Sequence, residues 1–131
     1  MSSFGAKSLE RLATCDPRLQ ELLKVAITHV DFTVLCGHRT EVEQNEAFAQ
    51  KHSTVRWPNS KHNSLPAIAV DVAPFPIDWN DTARFARLAG YIERIADEKG
   101  IAIRWGGDWN GNWRTLDERF IDMPHIELVN P

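Results

Sequence analysis

Long hydrophobic runs are missing from this chain. No stretch approaches the ~20 apolar residues of a membrane span, and the opening Met-Ser-Ser-Phe-Gly-Ala-Lys-Ser-Leu-Glu has no apolar signal-peptide core. The expectation is a protein made in the cytosol, with no stable membrane association. Cysteine is scarce, with 2 in 131 residues. Cys15 and Cys36 are expected to be reduced, ordinary core residues rather than a disulfide framework or metal ligands. Concentrated basic charge is also missing: the 15 Lys and Arg residues are scattered and the net charge is −3, which argues against a dedicated nucleic-acid surface. Internal repeats, linkers and low-complexity segments are absent too. What is present, 25% charged and 43% hydrophobic residues, fits one soluble domain over residues 1–131, with no room for a separate targeting module.

Local signals divide the chain into alternating elements. Asp16 is a helix N-cap with Pro17 at the first helical position. Leu19, Leu22, Leu23, Ala26, Ile27 and Val30 then follow one helical face. Phe32 to Cys36 reads as a strand ended by Gly37, and Thr40 with Glu43 forms a capping box that opens a second helix. His52 to Pro66 is polar and reads as a loop, leading into the apolar run Ala67–Ala73 that Pro74 and Pro76 end. A long helix starts near Asn80 or Asp81, buries Phe85, Leu88, Ala89, Ile92, Ile95 and Ala96, and stops at Gly100. Ile101–Trp105 and His125–Val129 supply two more strands around a glycine and tryptophan loop. The pattern predicts a small α+β domain.

Asp71 breaks the pattern. It is a charged group inside an otherwise apolar strand, where an ionised carboxylate is costly unless it is paired or holds a metal. Alternation puts it with Ala67, Ala69 and Ala73, on a face of small residues with room for something bulky. Together with His62 and His125 it makes a ligand set for catalytic zinc, with the fourth position left for water. On spacing alone the same residues also suit a solvated His62, an Asp71 in an internal salt bridge and a His125 capping a strand. His29, His38 and His52 have no such context and are expected at the surface.

Ser60-Lys61-His62, followed by Ala69-Val70-Asp71-Val72-Ala73-Pro74, resembles the first zinc-ligand motif of the D-alanyl-D-alanine carboxypeptidase-like zinc peptidases. Asp122-Met123-Pro124-His125 is similar to the second, and Cys36-Gly37-His38-Arg39-Thr40 with Gln44 to the arginine segment that precedes both. Gly106-Gly107-Asp108-Trp109 resembles the branch of bacteriophage L-alanyl-D-glutamate endopeptidases. The turn from His62 to Asp71 is longer than the family's commoner spacing, with Pro66 where glycine is frequent; a loop can absorb the extra residues.

The resemblance implies a small antiparallel sheet packed with helices, in the Hedgehog and DD-peptidase-like zinc peptidase fold, with no separate cell-wall-binding domain. It implies Zn2+ held by His62, Asp71 and His125, with Asp122 as general base and acid and Arg39 on the scissile carbonyl oxygen. Glu127, on the same strand face as His125, is the rival base or a partner that orients a ligand imidazole. Ser60, Gln44, Asp108 and Trp109 are the expected substrate contacts, although Trp105, Trp109 and Trp113 also suit core and rim. The implied activity is that of a phage endolysin, a monomer that cleaves the L-alanyl-D-glutamate bond of the peptidoglycan stem peptide. It would wait in the host cytoplasm until a holin releases it to the wall. A D-alanyl-D-alanine dipeptidase or carboxypeptidase with the same zinc site is the alternative, and a non-catalytic wall-binding module that keeps zinc for stability is a third reading.

Overall fold

A computed structural model describes residues 2–131. Four helices and four strands follow in the order α1 (Ala6–Leu12), α2 (Pro17–Ala26), β1 (Phe32–Cys36), α3 (Glu41–Ala49), β2 (Ala69–Pro74), α4 (Thr82–Lys99), β3 (Ile103–Trp105) and β4 (His125–Leu128). The strands form one antiparallel sheet in the order β1-β2-β4-β3. This is the α+β architecture that the sequence predicts.

The predicted caps form. Asp16 accepts a hydrogen bond from the Arg18 backbone N–H at the start of α2. Thr40 and Glu43 make both bonds of the capping box on α3, and Gly100 closes α4 in the left-handed conformation that glycine adopts without strain. Two elements are shorter than the apolar pattern suggests. α2 stops at Ala26, so Ile27 and Val30 continue its buried face from a turn. β3 begins at Ile103 because the Ile101 N–H still bonds back to Ala96 O of α4.

α1 has no counterpart in the sequence reading. Its two turns lack a side-chain N-cap, and its purpose is tertiary. Ser8 Oγ accepts from the Val34 N–H at 3.1 Å and the Arg11 guanidinium donates to Val34 O at 3.1 Å. These side chains occupy ladder positions that the edge strand β1 would otherwise leave open.

Strand alternation separates two faces. Val34, Val70, Val72, Ile126 and Leu128 join Leu19, Leu22, Leu23, Leu88 and Ile92 of α2 and α4 in the hydrophobic core. Asp71, His125 and Glu127 point to the opposite face, where β2 and β4 align Asp71 with His125 and Ala69 with Glu127. Cys36 belongs to that second face, which corrects the expectation of a core cysteine. Simple alternation from Val34 would send Cys36 into the core. A bulge at Leu35 inserts one residue, so Cys36 rather than Leu35 lies opposite Asp71. Cys15 is buried in the core as expected, and burial pushes its thiol pKa up to about 12.

Candidate metal and active site

His62 Nε2, His125 Nδ1 and Asp71 Oδ1 converge. The two nitrogens lie 3.3 Å apart, and each is 3.3–3.4 Å from the carboxylate oxygen. A tetrahedral ion with ligands at about 2.0–2.2 Å sets its donor atoms about 3.3–3.6 Å apart, so the trio fits such an ion. Asp71 Oδ1 is buried and has no hydrogen bond of good geometry, and a polar atom in that state needs a partner. Burial alone would raise the Asp71 pKa, but charge on His62 holds it well below the usual carboxylate range. Burial would likewise lower the pKa of His62, yet Asp71 pushes it up to about 10. The site therefore favours positive charge at the point where the three atoms meet.

The far side of each ring is held by the fold. His62 Nδ1 donates to Gly37 O at 2.7 Å, leaving Nε2 free to face Asp71. His125 Nε2 donates to Glu127 Oε1 at 2.9 Å, leaving Nδ1 free. Such partners fix the tautomer and aim of a metal-ligating imidazole. Glu127 is itself paired with Lys61 at 2.7 Å and approached by Arg104 at 3.5 Å. Burial would raise the Glu127 pKa, but its bonds to His125 and Lys61 hold it at about 2. A carboxylate so firmly ionised and occupied orients His125 and is a poor proton acceptor. Glu127→Gln is expected to weaken metal affinity about 10–100-fold, as competition with a chromogenic chelator would measure.

Asp122 has the opposite character. Its Oδ2 lies 3.8 Å from His125 Nδ1, and no side-chain hydrogen bond of Asp122 is formed among the described residues. Burial and the charge of Asp71 raise its pKa to about 6. In metal-free protein, carbon-detected NMR of Asp122 is expected to show a midpoint near 6 rather than 3.8. The folded chain then holds this proton more tightly than the unfolded chain. The group's contribution to stability is full below 3.8 and is lost as pH rises through about 6.

The Gly106-Gly107-Asp108-Trp109 segment builds this corner. The Gly106 N–H donates to His125 O and its carbonyl accepts from the Asp122 N–H, both at 2.8 Å, and a Cβ there would lie 2.2 Å from Asp122 O. A Cβ on Gly107 would strike the Trp105 ring. Asp108 is not turned toward the trio: its carboxylate accepts from the Asn112 and Trp113 N–H groups and closes the following turn. Trp109 does reach the site, with its ring 5.3 Å from that of His125 and Nε1 bonded to Phe120 O. Trp105 is core, and Trp113 is 88% exposed.

Arg39 donates to Asp71 Oδ2 and to Gln44 Oε1, both at 3.2 Å. Gln44, expected to touch substrate, is fully buried. Its amide donates to Ser53 Oγ and Val55 O, while its oxygen accepts from Arg39 and Asn63. That network makes it a support for Arg39 and leaves it no surface for a ligand. Ser60 Oγ accepts from the His62 N–H and borders the cleft. The long turn after His62 is pinned by Ala67 N–H to Thr14 O, Ile68 N–H to Lys61 O and Asn63 to Arg39 O, so the extra residues bulge outward without displacing His62. Cys36 Sγ lies 3.9 Å from His62 Nδ1, on the Gly37 side of the ring. It can join His62 and Asp71 in a second potential ligand group. Of the remaining histidines, His29 and His52 are exposed and His38 is half-buried.

Two clefts meet at the trio and share Arg39, His52, Phe120 and Asp122. One runs past Ser60, Lys61 and Trp109, the other past Trp79, Phe85 and Ile121.

Comparison with known proteins places this geometry. The L-alanyl-D-glutamate peptidase of Escherichia phage T5 is 35% identical over 134 residues, covering 96% of this chain and 97% of that protein. The crystal structure of the Serratia marcescens L-Ala D-Glu endopeptidase ChiX superposes with a TM-score of 0.76 at 30% identity, over 96% of this chain and 89% of that one. Residues 1–129 match the family described as phage L-alanyl-D-glutamate peptidase. The chain belongs to that family.

Proposed function

We propose that this protein is a zinc-dependent endopeptidase that cleaves the L-alanyl-D-glutamate bond of the peptidoglycan stem peptide and so lyses a bacterial host. The observation that carries the reading is the convergence of His62 Nε2, His125 Nδ1 and Asp71 Oδ1, beside an Asp122 carboxylate with no side-chain hydrogen bond among the described residues. Family membership supports the choice of bond.

His62, Asp71 and His125 would hold the zinc. When bound, it would lower the pKa of water from 15.7 toward about 7 and act as a Lewis acid on a carbonyl. Asp122 takes the proton of the attacking water on a carboxylate oxygen and returns it to the leaving nitrogen of D-glutamate. Its raised pKa suits both halves of that transfer. Arg39 keeps guanidinium N–H groups beyond those bonded to Asp71 and Gln44, and these face the negative charge that develops on the alanyl carbonyl oxygen. Trp109 walls one side of the site and Ser60 holds the His62 loop at its rim.

Action as a monomer, synthesis in the host cytoplasm and release to the wall through a holin pore belong to the same proposal, supported by membership of a phage family.

Mass spectrometry of purified peptidoglycan after digestion tests the reaction. Stem peptides that begin at D-glutamate, beside glycans that keep L-alanine, are the expected products. Release of terminal D-alanine alone would move the protein to the carboxypeptidase reading, and no cleavage by zinc-loaded protein would favour a binding module.

A further inference from the structure

The two arms of the cleft differ in chemistry. Ser53, Thr54, Asn59 and Ser60 give the first arm hydroxyls and an amide, while the Lys61 ammonium there is paired with Glu127. Leu35, Trp79, Phe85, Ile121 and Met123 give the second arm an apolar wall, beside Lys51 and His52. Within the second arm the Trp79 indole stacks on Phe85, with ring centroids 5.5 Å apart and planes 19° from parallel. Phe85 is buried in α4 whereas Trp79 remains 58% exposed, so one indole face rests on a fixed base while much of the side chain is open to solvent. An aromatic ring already held flat has little freedom left to lose on binding.

The proposed substrate has a matching asymmetry. On one side of the scissile bond, L-alanine joins a lactyl group on an N-acetylated sugar, a bulky group without charge. On the other side, D-glutamate carries a free carboxylate and leads into a polar peptide. We propose that Trp79 is the platform on which the N-acetylmuramoyl sugar stacks, so that the Trp79 arm takes the glycan side and the hydroxyl-lined arm the peptide. This deepens the endopeptidase reading and rests on it. It makes Trp79 a positioning residue, which sets how the substrate lies across Arg39 and Asp122 without touching the reacting atoms.

The test compares two soluble substrates with zinc-loaded protein: a disaccharide tripeptide, and the free tripeptide L-alanyl-γ-D-glutamyl-diaminopimelate. Wild-type protein is expected to prefer the first. Trp79→Ala should reduce that preference, as a ratio of kcat/KM values, about two- to tenfold, mainly through KM. Trp79→Phe should restore most of it. Melting temperature and zinc content, measured on each variant, confirm that the fold is retained. An unchanged ratio in Trp79→Ala, or a wild type without preference, overturns the assignment and leaves the endopeptidase reading intact. If wild type cleaves neither substrate, the platform assignment falls, and the endopeptidase reading falls with it when purified peptidoglycan is also left intact.

Discussion

Asp122→Asn should keep its metal and lose hydrolysis about 10²–10⁴-fold, the usual contribution of a positioned acid–base group. The substitution is close to isosteric, and among the described residues the Asp122 side chain forms no hydrogen bond that the fold would miss. The three converging donor atoms belong to other residues, so zinc stoichiometry should hold. What disappears is a carboxylate able to take up and release a proton. Activity within a few-fold of wild type would remove Asp122 from the mechanism, and Glu127 could hardly replace it, being ionised and bonded to His125 and Lys61. Loss of zinc along with activity would instead give Asp122 a direct role in binding the ion.

The second large effect belongs to Asp71→Ala. Without its carboxylate, His62 and His125 are left as two neutral donors, Arg39 loses its charged partner and keeps only Gln44, and tight zinc binding is expected to disappear with all detectable hydrolysis. Thermal melting with and without a chelator separates this from simple unfolding. Zinc at 1,000 times its dissociation constant stabilises the native state by about 4.1 kcal/mol, so chelation should lower the wild-type melting temperature and leave that of the variant unmoved. A variant that still melts lower on chelation would show that the ion is held elsewhere, with the Cys36 side of His62 the first place to look.

Much of the fold was legible because the decisive signals are local. The Asp16 and Thr40 caps, the Gly100 stop and the apolar stripe of α4 each lie within a few residues of what they control. The trio was legible only in part from pattern: a carboxylate in an apolar strand needs an explanation, but spacing left other readings of His62 and His125 open, and the resemblance to the zinc peptidases joined the three. Features that depend on contacts distant in sequence were not legible. α1 is stabilised by what Ser8 and Arg11 do to Val34, 26 and 23 residues away. The bulge at Leu35 reverses the face of Cys36 with no glycine or proline to mark it. Gln44 and Asp108 carry the polar groups expected of substrate contacts, yet each is engaged by the protein itself. Composition cannot distinguish a side chain that faces a ligand from one that faces its own backbone.

Gly37 joins two parts of the molecule that seem unrelated. Its carbonyl aims His62, while a Cβ at its own position would fall 2.3 Å from Thr14 Oγ1, 2.5 Å from Arg11 O and 2.9 Å from Cys15 Sγ. The last turn of α1 and the residues that follow it thus form the wall against which a metal ligand is braced. An engineer who trims the amino terminus to make a smaller lytic enzyme would remove no member of the active site and would still slacken it. The safer place for such economies, or for grafting on a new binding module, is the outward bulge at Ser64 and Leu65, which is exposed and braces nothing in the cleft.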